Sequence, residues 1–140
     1  MPHSKRLREF HTTRRTDFLT VFAIYQFALA IQYLDVELYL VANDKIFSWV
    51  TFLAPQHVSF LLFISSIICL VVVITGRGAK LAFASLMICF GGLAVLWMGS
   101  LVFGGYWGSW PTVMMYHAFA GLVWFSSGVV DTPRKAKSNG

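Results

Sequence analysis

Three long runs of the chain carry no Asp, Glu, Lys or Arg: residues 18–34, 46–76 and 81–130. A hydrocarbon core about 30 Å thick is crossed by ~20 apolar residues in a helix. The last run, at 50 residues, is therefore long enough to cross twice. Its middle reads Gly104-Gly105-Tyr106-Trp107-Gly108-Ser109-Trp110-Pro111. Glycine supplies free dihedrals there, proline a break, and the indoles suit a membrane surface. The pattern predicts an all-α integral membrane protein with four transmembrane helices in a compact bundle, spanning about 17–40, 56–75, 81–103 and 112–130. At ~1.5 Å rise per residue these spans match a bilayer without unusual tilt. Thr16 is placed to cap the first helix, and Pro55 stands just before the second.

Between the first two spans, residues 44–53 are apolar nearly all round through Ile46, Phe47, Trp49, Val50, Phe52 and Leu53, with Asn43-Asp44 as a cap. This reads as a short outer interfacial helix lying on the lipid surface. The resulting organisation is a basic leader (1–16), a transmembrane domain (17–130) and a basic tail (131–140). The basic start followed by Ala28-Leu29-Ala30 resembles a cleavable signal peptide. Gln26 inside the run, and the long leader before it, favour an uncleaved first span instead.

Composition agrees: 57% of residues are hydrophobic and 12% charged, outside the usual range of a soluble domain. The net charge of +5 would suit nucleic acid only on a folded soluble module. Here ten of the eleven Lys and Arg residues lie in the leader, the tail or the Arg77–Lys80 turn, and only Lys45 lies across the membrane from them. Cytoplasmic loops retain positive charge, so both termini are expected inside the cell (inner) membrane, with lipid and not nucleic acid as the surroundings. Cys69 and Cys89 sit singly in apolar runs with no CxxC, and are read as reduced thiols packed as small apolar groups.

Small residues recur at heptad spacing in every span: Ala23/Ala30, Ser59/Ser66, Ser85/Gly92/Gly99 and Gly121/Gly128. Within lipid, small side chains let helix backbones approach. These seams pack one bundle internally, or one of them, Ser85/Gly92/Gly99, joins neighbouring copies. Gly92 is taken as the packed centre of that seam, with Leu96 directed to lipid.

His117 is the one readily titratable side chain deep in the uncharged C-terminal half. With the first span reaching residue 40, Asp35 lies at a similar depth and Gln32 one turn further in. An ionisable group inside a membrane is a functional candidate because its burial is costly, so Asp35, His117 and Gln32 form a candidate intramembrane polar site. The competing reading is a neutral His117 bonded to a backbone carbonyl or a Tyr hydroxyl. A stripe of Ala23, Gln26, Ala30, Tyr33 and Glu37 turns Gln26 and Tyr33 toward the bundle. His57 and His117 are a weak pairing for haem, and His3 and His11 lie in the leader, so neither cofactor nor metal is expected. No nucleophile–base pair, phosphate-cradling glycine loop or carboxylate pair can be assembled, which argues against an enzyme.

Three features resemble the small four-span membrane proteins of tailed phages and prophages, some of them described as holins. They are the leader ending Arg14-Arg15-Thr16-Asp17, the basic hairpin Gly76-Arg77-Gly78-Ala79-Lys80, and the last span entered through Pro111 with Tyr116-His117-Ala118-Phe119-Ala120. The tail is less charged than is usual in holins. The resemblance implies a non-enzymatic, holin-like protein acting by self-association in the inner membrane. The alternative is a small accessory subunit of a larger respiratory or transport membrane complex, and a third reading is a compact transporter or proton path through Asp35 and His117.

Overall fold

A computed structural model of the chain describes residues 2–34, 46–47, 49–50, 52–105 and 107–130, with side chains described from residue 15 to residue 127 within these limits. Glycine and proline punctuate it. Helix α1 runs over Pro2–Leu34, α2 over Pro55–Thr75, α3 over Ala79–Val102 and α4 over Trp110–Val130, the last preceded by a single tight turn at Trp107–Ser109. The described residues contain no strand.

Helix α2 starts where Pro55, with no N–H to lose, occupies its first position. His57 reaches back so that its Nδ1 accepts the Ala54 N–H at 3.1 Å. The helix stops at Gly76, which adopts φ 67° and donates its N–H to the Val72 carbonyl at 2.8 Å. Gly78 (φ 84°) then opens α3. Two left-handed residues within three positions make this reversal tight, and both are glycines because a Cβ disfavours that conformation.

The helices expected at 56–75, 81–103 and 112–130 agree in their bounds with α2, α3 and α4 to within two residues. The first does not. Thr16 lies inside α1, where its carbonyl accepts the Thr20 hydroxyl at 2.8 Å, so it is no N-cap. Nothing between residues 3 and 34 is Gly or Pro, and the Lys, Arg and Glu of the leader are good helix formers. The leader therefore continues the first span as one helix. Only the Arg15–Leu34 part, 20 residues, is apolar enough to cross a membrane. With α2 and α3 it makes three helices of that kind. The expected extension of the first span to residue 40 lies outside the described residues.

Helices α1 and α2 run antiparallel and touch through their small residues: Ser59 donates to the Ala30 carbonyl at 2.6 Å and Ser66 to the Ala23 carbonyl at 2.8 Å. Side chain to backbone bonds of this kind require close helix axes, which Ala and Ser permit. The inward positions of α1 are Leu19, Phe22, Ala23, Gln26, Leu29, Ala30 and Tyr33, a spacing of three and four that marks a narrow helix–helix seam. On its other side Phe22 meets Phe90 of α3 edge-on at 5.3 Å, and Phe119 of α4 packs against Tyr25 at 5.3 Å and Phe90 at 5.6 Å. These edge-to-face contacts are favourable aromatic geometries and join α1, α3 and α4.

Candidate functional site

The described part of residues 44–53 does not lie free on a surface. Ile46 and Val50 are buried in the core, and short turns close from Val50 N–H to the Phe47 carbonyl and from Leu53 N–H to the Val50 carbonyl, at 3.1 and 3.4 Å. The Trp49 indole lies directly on Gly99, where a Cβ would collide with it, and its Nε1 donates to the Leu96 carbonyl at 3.1 Å. Phe103 covers the ring at 5.8 Å. Among the described residues of 46–53, only Ile46 is helical. The described residues of this segment thus form a strap docked into the end of the bundle, where Gly99 leaves a recess that the indole fills.

This contact redefines the seam on α3. Ser85 accepts the Ser65 hydroxyl of α2 at 3.0 Å and donates to the Ala82 carbonyl at 2.8 Å. Gly99 is occupied by Trp49. Gly92 between them is exposed, and a Cβ there would meet nothing within 4 Å. It opens onto an apolar groove of about 110 Å³ between α2 and α3, walled by Leu53, Leu61, Ile88, Cys89 and Leu96 among others. Leu96, expected to face lipid, is buried at 4% exposure, and its carbonyl accepts the Trp49 indole N–H. On α4, Gly121 likewise has no atom within 4 Å of a Cβ position. The surroundings of Gly128 lie outside the described residues.

The polar site expected from Asp35, His117 and Gln32 is not assembled by the described residues. Asp35 lies outside them, and Gln32 is exposed. His117 is exposed too, and its Nδ1 sits 2.8 Å from the Val113 carbonyl one turn back. A carbonyl only accepts, so Nδ1 carries the proton in that bond. His57 has the opposite arrangement, with Nδ1 accepting from Ala54, so its proton is on Nε2 when neutral. His57 and His117 are thus each bonded to backbone within four residues in sequence. Among the described residues no group of three or more His, Cys, Asp or Glu could hold a metal ion.

Among the described residues, two further inward groups carry polar side chains. Near the Leu34 end of α1, Trp97 donates to the Tyr33 hydroxyl at 3.1 Å and its ring stands 6.4 Å from that of Tyr116. Ser100 and Ser109 are buried, and Ser100 bonds the Trp97 carbonyl. Halfway along the helices, Ser65 donates to Ser85 at 3.0 Å and the Cys89 thiol is directed at the Leu61 carbonyl at 3.8 Å, while Gln26 and Cys69 are fully buried. Neither thiol is in a disulfide. The inward direction of Gln26 and Tyr33 follows from helical spacing. The partner of Tyr33, Trp97 on a helix far away in sequence, carries no local signal.

No family model matches the chain, and no curated protein or solved structure is significantly similar to it.

Proposed function

We propose that this chain is a non-enzymatic integral protein of the inner membrane, holin-like and of phage type, that works by self-association of its helices. The observation that supports the reading best is the groove beside Gly92, where a side chain from a neighbouring helix could seat without displacing any atom of this chain. In lipid no hydrophobic drive joins helices, so open positions at small residues are the places where association gains packing contacts. Ser85 and Gly99 are used inside the chain, which narrows the interface from the whole seam to Gly92 and its groove. The proposal includes four spans, with α4 crossing as the fourth, and both termini in the cytoplasm.

The test is to reconstitute the chain in lipid nanodiscs of several sizes and count copies by stepwise photobleaching. In parallel, membrane potential is followed during expression in a bacterial host. Oligomers together with sudden depolarisation support the reading. Single copies with an unchanged potential overturn it. Stoichiometric capture of one other membrane protein would favour the accessory-subunit alternative instead.

A further inference from the structure

The seam on α1 changes chemistry where its apolar stretch begins. Stepping back from Leu19 by the seam's own spacing of three and four places Arg15, Thr12, Arg8 and Lys5 on the helix face that carries Ala23, Gln26 and Ala30. Continuing the antiparallel Ala30–Ser59 and Ala23–Ser66 contacts brings Thr75, the end of α2, level with Arg14. The rings of Phe18 and Phe83 stack at 5.8 Å, and Arg15 and Lys80 each stand three residues before one of them. Helices α1 and α3 run the same way, so Arg15 and Lys80 share a level on neighbouring helices, with Arg77 in the turn that leads into α3. That level is also where the apolar stretches of all three helices begin or end, at Arg15, Thr75 and Ala79.

These cations have an apolar surface under them. Arg77 and Lys80 are exposed, and on their hydrocarbon side Ile74 is 82% and Leu81 61% exposed. Cationic groups above an open apolar face match an amphiphile with an anionic head. Glu9 and Asp17, the acidic residues of α1, are outnumbered there by Lys5, Arg6, Arg8, Arg14 and Arg15. We propose that Arg15, Arg77 and Lys80 form a headgroup site for an anionic phospholipid, whose chains lie along Ile74 and Leu81. Guanidinium groups suit its phosphodiester because they donate paired hydrogen bonds to phosphate oxygens. The ligand is a lipid rather than a free anion because the cations stand where hydrocarbon ends and headgroups begin. Lys5 is roughly 15 Å further out along α1 at ~1.5 Å per residue. A charge in solution is screened over about 8 Å, so Lys5 is outside the site.

The site is built from α1, α2 and α3 and stands apart from the association reading. Its test places the whole chain in nanodiscs of equal phosphatidylglycerol and phosphatidylcholine. Both leaflets then offer both lipids, so the direction of insertion does not matter. Native mass spectrometry of the ejected protein counts the lipids that stay bound. Phosphatidylglycerol should be retained over phosphatidylcholine at least about fivefold, and Arg15→Gln/Arg77→Gln/Lys80→Gln, with helix content checked by circular dichroism, should retain the two equally. Lys5→Gln should keep the preference. No preference in the unaltered chain overturns the site, as does a preference that survives the triple change. Loss in Lys5→Gln equal to that in the triple variant would mean diffuse attraction by the leader and also overturns it. Inorganic phosphate added to the nanodiscs should leave the lipid bound, and displacement would overturn the lipid as ligand. Should the triple variant fail to fold, Arg77→Gln in the exposed turn decides, since it should lower the preference and an unchanged ratio refutes the site.

Discussion

At Gly99 any side chain collides with the Trp49 indole, and one position therefore controls whether the strap docks. Gly99→Ala should expel the ring and cost about 1–3 kcal/mol, the usual penalty of overpacking. Trp49→Ala loses the same contact from the other side, so the double variant should be less destabilised than the sum of the two, as expected for residues in direct contact. Thermal unfolding in mild detergent, followed by circular dichroism, checks this, and strict additivity would mean that the two do not touch. A second contrast lies one and two turns back on the same helix. Leu96→Ala empties a buried position and should cost about 2–5 kcal/mol. Gly92→Leu projects into open space and should leave the stability of a single chain within about 1 kcal/mol. If Gly92→Leu instead changes the number of copies in native gels while stability holds, the groove is where copies meet.

On the scale of elements, α1 and α2 form the closest pair, and their contact is specified by small residues rather than bulk. Ala30→Cys with Ser59→Cys, in a Cys69→Ala/Cys89→Ala background, should form a disulfide under mild oxidation, because the Ser59 hydroxyl already reaches the Ala30 carbonyl at 2.6 Å. Gln32→Cys with Ser59→Cys should not, since Gln32 faces out. Gel mobility with and without reductant reads both, and equal cross-linking of the two pairs would refute the packing. The bounds of α2, α3 and α4 were legible because Pro55, Gly76, Gly78 and Pro111 punctuate them with residues whose backbone chemistry leaves few choices. The start of α1 was not legible from charge, since a basic leader that marks topology is equally good helix. The strap was hidden for another reason. Its greasy composition fits a lipid surface or a recess in the protein equally well, and only the approach of Trp49 to a glycine 50 positions away decides between them. Of the candidate site, the heptad of small residues was visible, but which of its members meet a partner inside the chain depends on packing that no local pattern encodes.

On the scale of the whole molecule, the number of crossings decides where the chain ends. Among the described residues, three helices are long and apolar enough to span. Helix α4 is of similar length but carries Trp110, His117, Trp124 and Ser126-Ser127 along it. Its burial is also distinctive: Val113, Tyr116 and Val123 turn inward, while Met114, Leu122, Trp124 and Phe125 stand exposed. A helix that packs one side on the bundle and shows large apolar side chains on the other is stable only with that other side in hydrocarbon, because so much exposed apolar surface is costly in water. The proposed topology, which puts ten of the eleven Lys and Arg residues on one side, likewise needs α4 to make the crossing that gives an even number. Single cysteines at Ser4, Trp107 and Ser138, in the same cysteine-free background, should then divide cleanly under a membrane-impermeant maleimide added to intact cells. Trp107→Cys is expected to react from outside, and Ser4→Cys and Ser138→Cys only after the membrane is opened. Reaction of Ser138→Cys in intact cells would leave α4 out of the bilayer or reverse one span, and the four-span arrangement would fall with it.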